Sequence, residues 1–413
     1  MNSGWKKNTA LFLSSQAFSL LGTMLVQYAI TWYITLETKS GIMITISIIC
    51  GFLPSFFISP FAGVWADRFN RKALIIVSDA FIALSTLALA IIFIAGYKAI
   101  WLLFVASAIR SFGSGIQMPS VGAILPQLAP QDKLMKINGV NSSIISGITL
   151  VSPLISGALL SFTAIEIIFF IDVVTAAVAI AILILLLHIP VLAKAADGQK
   201  TGYFKDIKEG LTYINKHSFV KTIFIFNAIY FVLVSPLSFL TPLQVARSFG
   251  DEVWRLSVLE AAFSLGMMAG GLIIAAWGGF KNRLYTMVGS NLIVAFCTFS
   301  LGIIPNYIIY AVIVALIGLV LPMFNTPFTA LLQEKVEGDF LGRVFGVMNM
   351  IACSIMPLSM LLYGPLADIV KIEWMLIVTA ILMFVQVIFM AYNKSLIEAG
   401  RPADIPLSST EPI

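Results

Sequence analysis

Arg110 lies about ten residues into a long apolar run, where its guanidinium cannot easily reach the membrane surface and therefore needs an anion or water beside it. Acids occur in comparable settings: Asp79, Asp172 and Glu260 fall inside apolar runs, with Glu166 and His188 nearer to run ends. Desolvation favours the neutral form of a carboxyl, so an acid in such a place can take up and release a proton near neutral pH. Proton coupling is the chemistry this set could do. Glu260, Arg110 and Asp172 are the candidates, and Glu260 ranks first because Gly266, Gly270 and Gly271 follow it in a strip suited to close helix packing. Asp79 sits about two turns from a basic turn and is expected to pair with Lys72 or Arg71.

Uncharged polar residues form a second pattern. Gln16, Ser19, Thr23, Gln27 and Thr31 recur at steps of three or four, as do Ser107, Arg110, Ser114 and Gln117. Asn227 with Tyr230, and Asn325 with Thr329 and Gln333, repeat the pattern later in the chain. Polar groups are costly in a bilayer unless they face protein or water. The stripes therefore predict either a wet central cavity, lined by Gln16, Thr23, Gln27, Arg110, Gln117, Asn227, Tyr230 and Asn325, or hydrogen bonds between helices. Paired catalytic carboxylates, a nucleophile with its base and a phosphate-binding glycine loop are all missing, which argues against an enzyme. Cys50, Cys297 and Cys353 have no paired spacing, so neither a disulfide framework nor a metal site is readable. No cofactor is expected beyond a proton gradient.

The elements that position these residues follow from composition. A chain of 413 residues that is 59% hydrophobic and 11% charged, with mean hydropathy +0.99, cannot cover a water-facing surface. It is expected to be all-α and integral to a membrane. Twelve runs are long enough to span, at 9–36, 41–66, 73–96, 100–118, 137–163, 166–188, 219–245, 256–277, 284–304, 307–332, 342–367 and 374–392. Assigning the turns alternately to two sides places nineteen Lys and Arg on the side of the termini and five on the other, with Arg110 within a span. That bias predicts both termini in the cytoplasm of a multi-pass cell-membrane protein. The net charge of +5 is spread over these turns, so its partner is the bilayer rather than nucleic acid. Four regions follow: a six-helix bundle at 1–188, a cytoplasmic linker at 189–218, a second six-helix bundle at 219–393, and a tail at 394–413 expected to be disordered. Within the linker, Phe204, Ile207, Leu211 and Ile214 share one face of an amphipathic helix.

The two bundles read as a duplication. Trp65, Asn70 and Arg71 recur as Trp277, Asn282 and Arg283 at an offset of 212; Gln117-Met118-Pro119 and Gly139-Val140-Asn141 have counterparts at 325–327 and 346–348. Gly63-x-x-x-Asp67-Arg68-x-x-Arg71-Lys72 resembles the signature turn between helices 2 and 3 of the major facilitator superfamily. Ile109-Arg110-Ser111-Phe112-Gly113, Phe170-Ile171-Asp172, and Leu332 to Lys335 leading into Leu341-Gly342-Arg343-Val344-Phe345 are similar to its drug-proton antiporter branch, which includes Mef-type macrolide efflux proteins. The helix 5 signature of antiporters is partly matched, by Gly139, Pro153 and Gly157. The resemblance implies a monomeric exporter of a small amphiphilic substrate driven by protons; siderophore or metabolite transport by the same fold, and a non-transporting membrane receptor or enzyme, are the alternatives. It also implies a conformational switch made of Gly63, Asp67, Arg68, Arg71, Lys72, Arg283 and Arg343, in which Asp67 meets the start of helix 11 and holds an outward-open state. Spans 3, 6, 9 and 12 would then be peripheral, leaving Arg110 and Glu260 as the stronger pair.

Overall fold

A computed structural model describes residues 5–128, 130, 133–187 and 203–400, apart from the side chains of Asp67, Arg68, Met135, Asp339 and residues 203–206. The described residues hold twelve helices long and apolar enough to cross a membrane. In lipid every backbone polar group must be satisfied within the segment, and helices do this. Spans 1–6 are α1 (Trp5–Thr38), α2 (Gly41–Arg68), α3 (Arg71–Ile94), α4 (Ile100–Leu128), α5 (Leu134–Phe162) and α6 (Ile165–Ala181), the last continued by a π-helical turn over Ile182–Leu186. A short helix, α7 (Tyr203–Lys216), precedes spans 7–12: α8 (Ser218–Ser248), α9 (Val253–Trp277), α10 (Arg283–Leu301), α11 (Tyr307–Lys335), α12 (Gly338–Ile369) and α13 (Ile372–Tyr392). Residues 188–202, which hold His188 and most of the linker, lie outside the described residues.

The tail differs from expectation. Residues 394–399 form a further helix, α14, capped by the Asn393 side chain, with Leu396 fully buried and the Gly400 carbonyl accepting from the Arg283 amide at 3.1 Å. Residues 401–413 lie outside the described residues. The duplicated Asn-Arg pairs have a local purpose: Asn70 and Asn282 accept the amides of Ala73 and Leu284 and so start α3 and α10.

The face where α1 begins and α13 ends is here the near face, and the opposite one the far face. Each half has its own apolar core. At the far end they merge, since Trp32 and Ile44 of the first half are packed among Tyr230, Leu233, Leu256 and Met360 of the second. Two helix pairs make most of the contact between the halves, α2 with α12 and α5 with α9, and α1 also touches α8. Their closest approaches are both near the far face. A Cβ on Gly41 would stand 2.3 Å from the Gly364 carbonyl oxygen, and one on Gly157 would overlap Ser257. Toward the near face the same helices separate: Gly63, Gly139, Gly147, Gly271, Gly342 and Gly346 each have open space where a Cβ would be. The halves therefore enclose a chamber that is shut at the far face and open at the near face.

Candidate functional site: a polar core in the first half and a lone carboxyl in the second

Arg110 is buried to 4% exposure and pairs with Asp172, which is at 1%. Its guanidinium also donates to the Thr86 hydroxyl and, at 3.2 Å, to the backbone oxygen of Thr23, while Thr86 donates to Asp172 at 3.0 Å. Four helices, α1, α3, α4 and α6, thus meet at one cation. The approach of α1 to α6 requires glycine at position 22, where a Cβ would fall 2.7 Å from the Asp172 carboxyl. Spans 3 and 6 both aim polar side chains inward at α1 and α4, so a peripheral place for these helices does not remove Asp79 and Asp172 from the polar core. Arg110 joins Asp172, not Glu260.

Asp79 does not pair with the basic turn either. Its Oδ1 accepts from Ser19 at 2.8 Å and from Gln117 at 2.5 Å, its Oδ2 has no hydrogen-bond partner, and the residue is 2% exposed. Lys72 instead donates to the Leu187 carbonyl at 2.8 Å, and Arg71 to the carbonyls of Ala66 and Ala123 at 2.8 and 2.6 Å. Those bonds close the near ends of α2, α3, α4 and α6 on one another. A buried carboxyl held by a hydroxyl and an amide, with no cation in contact among the described residues, is chemically suited to carry a proton.

Along the α1 stripe, Gln27 is exposed and Thr31 donates to the Gln27 carbonyl, while Gln16 is half-buried and donates to Ser15 at 3.3 Å. The stripe of the second half divides. Asn325 is exposed, but Asn227 and Tyr230 are buried, and the Tyr230 ring stacks on Phe324 with centroids 5.3 Å apart. Tyr230 is therefore part of the packed wall of α8 and does not offer its hydroxyl to the chamber, a correction to its place among the cavity residues. The reason is that an aromatic ring at helical spacing satisfies a core as well as a cavity.

Glu260, two turns from the far end of α9, is half-buried and lines an apolar cavity of about 210 Å³ formed by α8, α9 and α11. It makes no hydrogen bond or ion pair among the described residues. The switch residues lie apart from both carboxyl sites. Gly63 faces open space, Arg283 pairs with Glu334 at 2.5 Å, and Arg343 pairs with Glu209 of α7 at 3.2 Å while lying over the Phe340 ring. The side chains of Asp67 and Arg68 lie outside the described residues, as does that of Asp339.

At the far face a clasp that the sequence reading missed joins the halves. Asp368, the penultimate residue of α12, accepts from the Gly41 and Ile42 amides at 2.7 and 3.0 Å and from the Ser40 hydroxyl at 2.8 Å, at the start of α2. Arg247 reaches the same carboxylate at 2.7 Å and the Lys39 carbonyl at 2.6 Å, and Lys39 pairs with Asp251 at 2.9 Å. Thr45 adds a bond to the Met360 carbonyl at 3.0 Å. The signal was in the sequence: Gly364-x-x-Ala367-Asp368 repeats Gly63-x-x-Ala66-Asp67.

The sequence profile of the Major Facilitator Superfamily matches residues 12–360. Macrolide efflux protein A of Streptococcus pyogenes is 27% identical over 393 residues, covering 94% of this chain and 97% of that protein. The protein of the same name from Enterococcus faecalis is 28% identical over 323 residues, 78% of this chain and 99% of its own length. Among solved structures, a bacterial homologue of the human lysosomal transporter Spinster, described as inward-facing and unoccupied, superposes with a TM-score of 0.68 at 14% identity over 98% of this chain and 100% of that one. Twelve spanning helices in two halves about a one-sided chamber, together with a profile match over most of its length, make this chain a member of the Major Facilitator Superfamily.

Proposed function

We propose that the protein is a secondary transporter that exports amphiphilic, drug-like compounds, macrolides among them, across the cell membrane in exchange for protons. One observation carries the reading: the chamber opens at the near face and is sealed at the far face, with the buried carboxyls of Asp79 and Asp172 in the first half and the half-buried carboxyl of Glu260 in the second. The near face collects the greater share of Lys and Arg, which supports its assignment to the cytoplasm, with both termini there. A cytoplasm-open chamber with apolar walls receives lipophilic compounds from within the cell. Closure of the near face and release of the far-face clasp would then deliver them outside, by the rocking of two bundles that their shared architecture supports. Inward proton movement supplies the driving force, with Asp79 and the Arg110–Asp172 pair as the proton-responsive core. The names of the relatives from Streptococcus and Enterococcus support a macrolide as the first substrate to test. No second protomer is needed to complete the chamber, so the transporting unit is taken as the monomer.

The test is uptake of radiolabelled erythromycin into inverted vesicles containing the full chain, with an acid-interior pH gradient imposed. Accumulation that collapses on addition of a protonophore is the expected result. Accumulation that is indifferent to the gradient would remove proton exchange, and no accumulation of macrolides or other amphiphiles would remove the export reading.

A further inference from the structure

We infer that the cavity around Glu260 is a recognition subsite for the protonated amine of a lipophilic cation. The inference rests on the export reading and specifies which amphiphiles it favours. Its walls are Leu237, Leu259, Phe263, Val314 and Ile317, from three helices of the second half. Against them stands one carboxyl, that of Glu260, and its isolation is the key observation. Asp172 is matched by Arg110, Asp79 by Ser19 and Gln117, and Asp368 by Arg247 and the start of α2. Glu260 has no hydrogen bond or ion pair among the described residues. Ser257, three residues earlier on α9, meets Gly157 of α5, so this face of α9 is turned toward the first half.

The complement to this carboxyl must therefore come from outside the protein. A divalent metal ion needs several oxygen ligands, and no group of three His, Cys, Asp or Glu exists among the described residues to supply them. A hydrated monovalent ion would leave the aliphatic walls wet. A tertiary or quaternary ammonium carried on an apolar body satisfies both features at once: its charge meets the carboxylate, and its alkyl groups cover Leu237, Leu259 and Val314. The Phe263 ring adds a surface that attracts an alkylammonium ion. A neutral molecule of the same shape would bury the carboxyl without a partner, and that desolvation is unfavourable. The subsite thus discriminates by charge, while the chamber discriminates by hydrophobicity.

The experiment compares two isosteric probes on the purified full chain in nanodiscs, by equilibrium dialysis: 1-(dimethylaminomethyl)naphthalene, protonated at neutral pH, and 1-isobutylnaphthalene, its carbon analogue. The wild type should bind the amine at least tenfold more tightly. Glu260→Gln should reduce that ratio to near one, with affinity for the hydrocarbon retained as the sign of a folded chamber. Glu260→Asp should keep a preference for the amine, and so should Glu252→Gln, which alters an exposed acid of the same surface loop and helix start. An undiminished ratio in Glu260→Gln, or equal binding of both probes by the wild type, would overturn the subsite. Vesicle uptake of the two probes separates this from failure of the export reading. Equal gradient-driven uptake of both sinks the subsite alone, whereas uptake of neither sinks both.

Discussion

Arg110 is tied to three helices besides its own, so each substitution around it has its own expected outcome. Asp172→Asn leaves a buried guanidinium without its counter-charge and should cost about 3–5 kcal/mol, read as a lowered melting temperature in detergent, whereas replacing both members by leucine should recover much of that loss without restoring transport. Asp79→Asn is different, because an amide oxygen can still accept from Ser19 and Gln117. That variant should melt near the wild type yet lose accumulation against a gradient while keeping substrate exchange. Full gradient-driven accumulation by Asp79→Asn would take the proton-responsive role away from it. Helical spacing made Arg110, Gln117, Asp79 and Asp172 visible as polar residues in apolar runs. It did not reveal their pairing, because residues 62 and 38 apart in sequence meet only after α3 packs against both α4 and α6.

At the scale of helices, α2 and α12 carry the same device at opposite ends. Each ends in a glycine, an alanine three residues on and an aspartate one further; Asp368 caps the first turn of α2, where a carboxylate is stabilised by the free amides and the dipole, and the resemblance assigns Asp67 the matching place at the start of α12 in the opposite state. In this conformation the Asp368 end is engaged and the near ends of the two helices are apart. Removing the charge with Asp368→Asn should weaken a contact worth roughly 0.3–2 kcal/mol; a loss of about 1.4 kcal/mol would move the balance tenfold toward the far-open state. Spin labels at positions 70 and 282, on the near face, should then show a larger population at short distance. Gly364→Val should act in the same direction more strongly, since any side chain there meets Thr45 and the Gly41 carbonyl. An unchanged distance distribution in both variants would reduce the clasp to a passive contact.

For the whole molecule, the clasp sets how this conformation responds to pH at the far face. The hydrogen bond from the Lys39 ammonium holds the exposed Asp251 carboxyl below its ordinary value, so this pair contributes fully above the usual carboxylate pKa of about 3.9 and is lost only as pH falls through the lowered value. Distances across the far face should therefore stay constant between about pH 5 and 8; a transition inside that window would place another titrating group in the clasp. The linker also enters at this scale. Tyr213 of α7 accepts from the Glu337 amide at 3.3 Å and stacks on Phe340, so α7 rests on the start of α12, the surface that resemblance assigns to Asp67 in the opposite state. From the sequence alone came the twelve spans, the charge asymmetry of their turns, the duplication and the membrane class, because each depends on local composition and on a period that one helix sets for itself. The partner of Arg110, the solitude of Glu260, the burial of Tyr230 and the closed far face came only from the tertiary structure. Spacing decides which residues share a face of one helix, but which faces meet is settled by close packing at positions such as Gly22, Gly41 and Gly364.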